Sequence, residues 1–384
     1  MGKFPLGKSA IASIAGGMDS LTQAALGAVV GQMVLGRQLG RRALAWGALF
    51  GTLPDLDVVF TWFLPTAWDL RVHRGISHSI WLMLLLSWLL AKPLARRWKR
   101  DKVAPSRAGF FVFLAWSTHV LIDVFTVYGT GVFDPLPMEW VSFDNLFIID
   151  PFFTLPLLVA VGIGGFIAPK DWKKGRGLRV AAWGVAISSF YVGLSFGAKQ
   201  LVRQAVAADL GRRGIEWKRG MEAPTPFNIV LWRVLIERPD EIWIGYRSVF
   251  DSASAPIRWT VVPKGEEIAA RHAGAAEVRT LQRFSRGWWI AREAADGVWF
   301  ADLRFGESRE WDRRGVALRP AFAWTFQPDG SKDRLRAHGL RARDAGEVMR
   351  RMGRRMLGET VAWEESPRLI GGFLALQEYL REHP

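Results

Sequence analysis

The sequence predicts a mostly α-helical protein: a polytopic transmembrane bundle of about five to six hydrophobic segments, followed by a soluble α+β domain. Three observations lead there. Long apolar runs fill residues 1–199, whereas residues 200–384 are arginine-rich and contain none. Many of the 20 tryptophans flank those runs, among them Trp46, Trp62, Trp68, Trp98, Trp140 and Trp172, as an aromatic belt at a membrane interface does. The loops between runs alternate between strongly basic and acidic, the charge pattern of membrane topology.

The elements follow in order. Residues 1–17 read as an N-terminal extension, because Met18 and the DSLTQAALG that follows make a more natural beginning. Leu21–Leu35 is rich in Gly and Ala, which suits close helix packing in a bilayer. Ala43–Leu53 then runs into LPDLD, where Pro54 breaks the helix and Asp55 and Asp57 follow. Ile76–Leu94, Ala108–Tyr128, Leu146–Ala168 and Leu178–Ala198 each approach the ~20 residues that cross a bilayer.

Loop charge sets the expected orientation. Loop 92–107 carries seven basic residues and loop 169–179 five, while loop 129–145 has none but holds Asp134, Glu139 and Asp144. The first two are expected in the cytoplasm and the third outside. Residues 18–199 thus form the membrane domain, and residues 200–384 an extracytoplasmic α+β domain. In the latter, Asn228–Arg238, Glu241–Phe250, Ile257–Pro263, Gly287–Arg292, Gly297–Phe305 and Ala321–Phe326 read as strands, and Glu266–Phe284 and Asp344–Leu357 as helices.

Ionisable side chains in the apolar half are the candidates for function. His119 and Asp123 stand four residues apart in Ala108–Tyr128, about 400° of helical turn, so both point the same way. Three of the chain's six histidines, His73, His78 and His119, lie in this half beside Asp55, Asp57, Asp123 and Asp150. Taken singly, each has a packing or capping explanation; Ser77, for example, can cap the helix after HRGISHS. The orientation above puts them all on the outer face, where imidazoles and carboxylates together make the N/O set expected for zinc, manganese or iron. The chain has no cysteine, which excludes disulfides and thiolate ligands. About half of the net charge of +15 comes from the short loops, and no zinc-finger spacing or RNP motif accompanies it, so nucleic acid is not an expected partner.

MDSLTQAALGAVVGQ, GTLPDLD, HRGISHS, STHVLIDVFTVYGT and FDNLFIIDPFFTLPL, in this order, resemble the YdjM-like family of bacterial inner-membrane proteins, and PTPFNIVLWRV resembles the start of the soluble domain in its long members. The resemblance covers roughly residues 18–250. It implies a multi-pass inner-membrane, metal-dependent hydrolase. A fainter similarity is to zinc-dependent phospholipase C and P1-type nucleases, whose HxxxD helix corresponds here to His119 and Asp123. The histidines present are too few for a trinuclear site, so one or two ions, zinc above all, are expected.

On this reading His73, His78, His119, Asp123 and Asp55 hold the metal. Asp57 or Asp150 acts as general base or bridges a second ion, and Arg74 holds a phosphate oxygen. Thr126 and Tyr128 orient ligands. The substrate is a phospholipid or lipid-linked phosphate reached from the bilayer. A transporter or a membrane-anchored binding protein is the rival expectation.

Overall fold

A computed structural model describes residues 10–61, 63–294, 296–310, 319–329, 334–339 and 345–360. The chain forms two compact units, one of residues 15–63 and 72–195, the other of the residues before 15, residues 64–71 and those from 196 onward.

The first unit is helical. Its longer helices are α1 (Ala10–Leu39), α2 (Arg42–Thr52), α3 (Ile80–Arg97), α4 (Pro105–Val124), α5 (Pro151–Phe166) and α6 (Arg176–Arg212), the last running on beyond residue 195. Residues 1–9 of the expected extension lie outside the described residues, and Ala10–Gly17 continue into α1. Gly40, at φ +57°, turns the chain sharply between α1 and α2.

The α1–α2 seam is made of glycine backbone. A side chain on Gly47 would collide with the carbonyl oxygen of Gly27 and lie 2.8 Å from Ala28 Cα, and one on Gly51 would lie 2.6 Å from the Gln23 carbonyl oxygen. No larger residue fits at either position. Around this seam Leu35, Phe50, Trp98, Phe111, Val112 and Ala115 form one buried core from α1 to α4. The ring of Trp46 meets Trp98 edge-on at 5.3 Å.

Among the described residues, α4 and α6 are long and apolar enough to cross a membrane; Thr66–His78 and Ile80–Arg97 pass the same test only as a pair bent by 51°. The expected count of five to six spans is thus not confirmed among the described residues, and two of the expected segments form short helices. The α2 helix has 11 residues. The Leu146–Ala168 run starts late, because Asp150 is extended and caps α5, leaving a helix of 16 residues. The expected domain boundary at residue 199 falls inside the continuous α6.

The second unit carries two four-stranded antiparallel sheets. The first orders β1 (Arg219–Pro224), β2 (Leu231–Glu237), β3 (Glu241–Ser248) and β4 (Thr260–Pro263); the second orders β5 (Trp289–Ala294), β6 (Gly297–Glu307), β7 (Pro320–Phe326) and β8 (Leu335–Gly339). The expected helix over 266–284 is two pieces, Glu266–Ala270 and α7 (Ala276–Phe284), separated by a turn containing Gly274. The final described helix, α8, covers Ala345–Met356.

Candidate metal centre

Three local structures bring the polar residues of the first unit together. After α2, Leu53–Leu56 makes one tight turn with Pro54 near its start, which projects Asp55 and then Asp57. HRGISHS winds through Arg74, held at φ +59°, into a short turn at Ile76–His78. Ser79, not Ser77, then caps α3 by accepting from Leu82 N–H. The third piece is α4, which aligns His119 and Asp123 one turn apart.

Asp55, His78, His119 and Asp123 converge so that one ligand atom from each lies within 4.8 Å of all the others. His78 Nε2 is 3.1 Å from His119 Nε2, 3.4 Å from Asp55 Oδ1 and 3.1 Å from Asp123 Oδ2. His119 Nε2 is 3.3 Å from Asp55 Oδ1 and 3.4 Å from Asp123 Oδ2. Tetrahedral zinc with N and O ligands needs donor–donor edges of about 3.3–3.5 Å, from bonds of about 2.0–2.2 Å. Five of the six edges thus have close to the required length.

The surrounding hydrogen bonds fix the tautomers. His119 Nδ1 donates to the Gly51 carbonyl at 2.6 Å, which leaves Nε2 with its lone pair. Ser77 Oγ donates to Asp57 Oδ2 at 2.6 Å and accepts from His78 Nδ1 at 2.8 Å, with the same result for His78. Asp123 Oδ1 accepts from Gln23 Nε2 at 2.9 Å and pairs with Arg74 Nη2 at 3.1 Å, while Oδ2 is turned to the histidines. Asp55 Oδ1 and Asp123 Oδ2 are buried and have no hydrogen-bond donor. Two imidazole lone pairs and two carboxylate oxygens meeting without a donor fit a cation at their centre.

The remaining expected site residues stand elsewhere. His73 is not in the cluster: its Nδ1 bonds Asp57 Oδ1 at 2.9 Å, and its ring sits 5.4 Å from Tyr128. Asp57 also accepts from Arg74 N–H and Ser77 Oγ, so it orients its neighbours and is not a free base. Burial works against its charge, but His73 outweighs that and holds the carboxyl below its usual range.

Arg74 does not reach for a phosphate. Its guanidinium is buried between Asp123, Thr126 Oγ1 at 3.0 Å and the Tyr128 ring at 5.1 Å. Thr126 and Tyr128 thereby support the centre through Arg74. Asp150 lies outside the cluster and spends both oxygens locally, accepting from Phe152 N–H and Phe153 N–H with one and from Tyr191 OH with the other.

Gln23, Ser77 and the Gly51 carbonyl were not among the expected site residues. Ser77→Ala and Gln23→Leu each leave all four ligands in place but free one ligand's orientation. Each is expected to weaken zinc binding about 10–100-fold, measured by competition with a chelator; unchanged affinity in both would refute this supporting role.

Residues 18–202, which include the whole cluster, match the family model described as YdjM inner membrane protein. The chain is 29% identical over 126 residues to the uncharacterized protein YfhP of Bacillus subtilis, covering 32% of this chain and 38% of that protein. It is 30% identical over 112 residues to the inner membrane protein YbcI of Escherichia coli, covering 29% of this chain and 63% of that protein. The chain therefore spans less than two thirds of either relative. No solved structure matches it.

Proposed function

Residues 18–202 belong to the YdjM inner membrane protein family, and from that premise we propose that the chain is a multi-pass inner-membrane hydrolase that cleaves a phosphoester of a lipid or other amphiphile. The observation that carries this reading is the convergence of four N/O donors, of which His78, His119 and Asp123 are sealed while the Asp55 side chain keeps 20% of its surface exposed. Those four residues would hold a divalent ion, zinc foremost. Such an ion supplies acidified water and polarisation of a phosphoryl oxygen.

The chain's own residues do the rest. Asp55, the one ligand that solvent reaches, marks the side from which substrate and water enter. His73, partly exposed and anchored through Nδ1 by Asp57, is arranged as a base–orienter pair. It takes the proton of the attacking water and returns it to the leaving oxygen as the P–O ester bond breaks and the new P–O bond forms. Exposed Leu56, Val58, Val59 and Ile76, next to the ligands in sequence, favour a substrate with an apolar tail. The basic loops support an outer-face site and an extracytoplasmic C-terminal unit; a phosphatase fused after Pro384 is active only in that orientation.

A second reading rests on the same four donors, since a full tetrahedral protein shell is the closed pattern of structural zinc. The purified, zinc-loaded protein, incubated with lipid, polyprenyl and nucleotide phosphates, separates the two. Hydrolysis of one class, lost in His119→Ala and reduced about 10²–10⁴-fold in His73→Ala, supports the enzyme. One ion bound per chain with no hydrolysis of any substrate supports the structural site.

A further inference from the structure

A groove of about 620 Å³ runs between α3 and α4, apart from the metal cluster. Leu84, Trp88, Phe110 and Phe113 line its apolar part, and Lys92 and Ser106 stand at its other end. Gly109 lets the helices close beneath it: a side chain there would lie 3.1 Å from the Ser87 carbonyl oxygen and 3.2 Å from Ala91 Cβ.

Two features specify an occupant. The aromatic and aliphatic walls stay open, Trp88 being 75% and Phe110 56% exposed, and α4 is one of the two helices able to span a bilayer. Such walls face acyl chains. The opposite end is cationic: Lys92 is exposed and has no ion pair among the described residues, and exposed Arg96, Lys99 and Arg100 follow it. From Leu84 to Lys92 the helix rises about 12 Å, enough to lay an acyl segment along the wall with its phosphate at the ammonium group. The volume falls within the range of built ligand sites. We propose that this groove binds one anionic glycerophospholipid, its acyl chain along Leu84, Trp88, Phe110 and Phe113 and its phosphate on Lys92. A second copy of the chain would meet the apolar wall but would leave the cationic end unmatched.

The test is native mass spectrometry of the full chain in detergent, titrated with phosphatidylglycerol or phosphatidylcholine of identical acyl chains. The expected result is about fivefold tighter binding of phosphatidylglycerol, the preference one lysine confers. Lys92→Gln, a surface change that leaves the packing intact, is expected to erase that preference. Leu89→Trp, placed in the groove wall, is expected to weaken both lipids. Equal affinity for the two lipids, or a preference that survives Lys92→Gln, overturns the proposal. So does a dimer that Leu89→Trp dissociates, because it assigns the groove to a second copy.

Discussion

On the proposal that the four donors hold one zinc ion, replacing His119 with alanine is expected to lower bound zinc to less than about a tenth of the parent's, since the centre loses an imidazole that touches every other donor. The variant also leaves the Gly51 carbonyl without its donor, at a cost of about 1–3 kcal/mol. Metal content measured by elemental analysis must therefore accompany a folding measurement such as the far-UV spectrum. Full zinc occupancy in a folded variant would remove the centre from consideration. Asp123→Ala is the harsher change, because it removes a carboxylate that pairs with the buried Arg74 guanidinium. Breaking such a pair costs about 3–5 kcal/mol, so this variant is expected to lose the fold as well as the ion. Acid should release the ion from the native protein, since protons and metal compete for the same Nε2 lone pairs.

The second large effect is expected far from any ligand. Gly47→Val places a branched side chain against the α1 backbone, where no side chain can move aside. The helices must separate, at a cost of about 3 kcal/mol. Parting them also carries Gln23 away from Asp123 and the Gly51 carbonyl away from His119. Thermal stability and zinc content should fall together. Gly162→Val, where an added side chain meets nothing within 4 Å, serves as the control and should change neither by a comparable amount.

The sequence carried the ligands better than it carried their surroundings. The four-residue spacing of His119 and Asp123 and the acids after Pro54 were readable because each depends on local backbone geometry. Which histidine of HRGISHS joins them was not, because the left-handed turn at Arg74 sends His73 to Asp57 and His78 inward. The partners of Arg74 and Asp150 were not readable for a related reason. A charged residue beside a motif is equally able to face a substrate or a buried partner, and only tertiary packing gave Arg74 its contacts with Thr126 and Tyr128 and Asp150 its contact with Tyr191. Gln23 sat in a helix whose composition spoke only of close packing.

Strands with strong apolar runs, β2 and β3 among them, were legible. β1, with Gly, Glu and Pro in six residues, was not, since its pairing with β2 is what makes it a strand. The start of α5 was not legible either, because hydropathy cannot see that Asp150 is extended and caps the helix.

The ligands come from the turn after α2, the turn before α3 and α4 itself, in a chain with no cysteine. An ion bound among them is a clasp joining segments that no disulfide cross-links. Unlike a disulfide, its strength is set by the surroundings: about 2.7 kcal/mol when free ion exceeds its dissociation constant a hundredfold, and nothing when the ion is withdrawn. The amount of folded protein in the membrane would then follow metal supply, so that scarcity thins the population before any regulator acts.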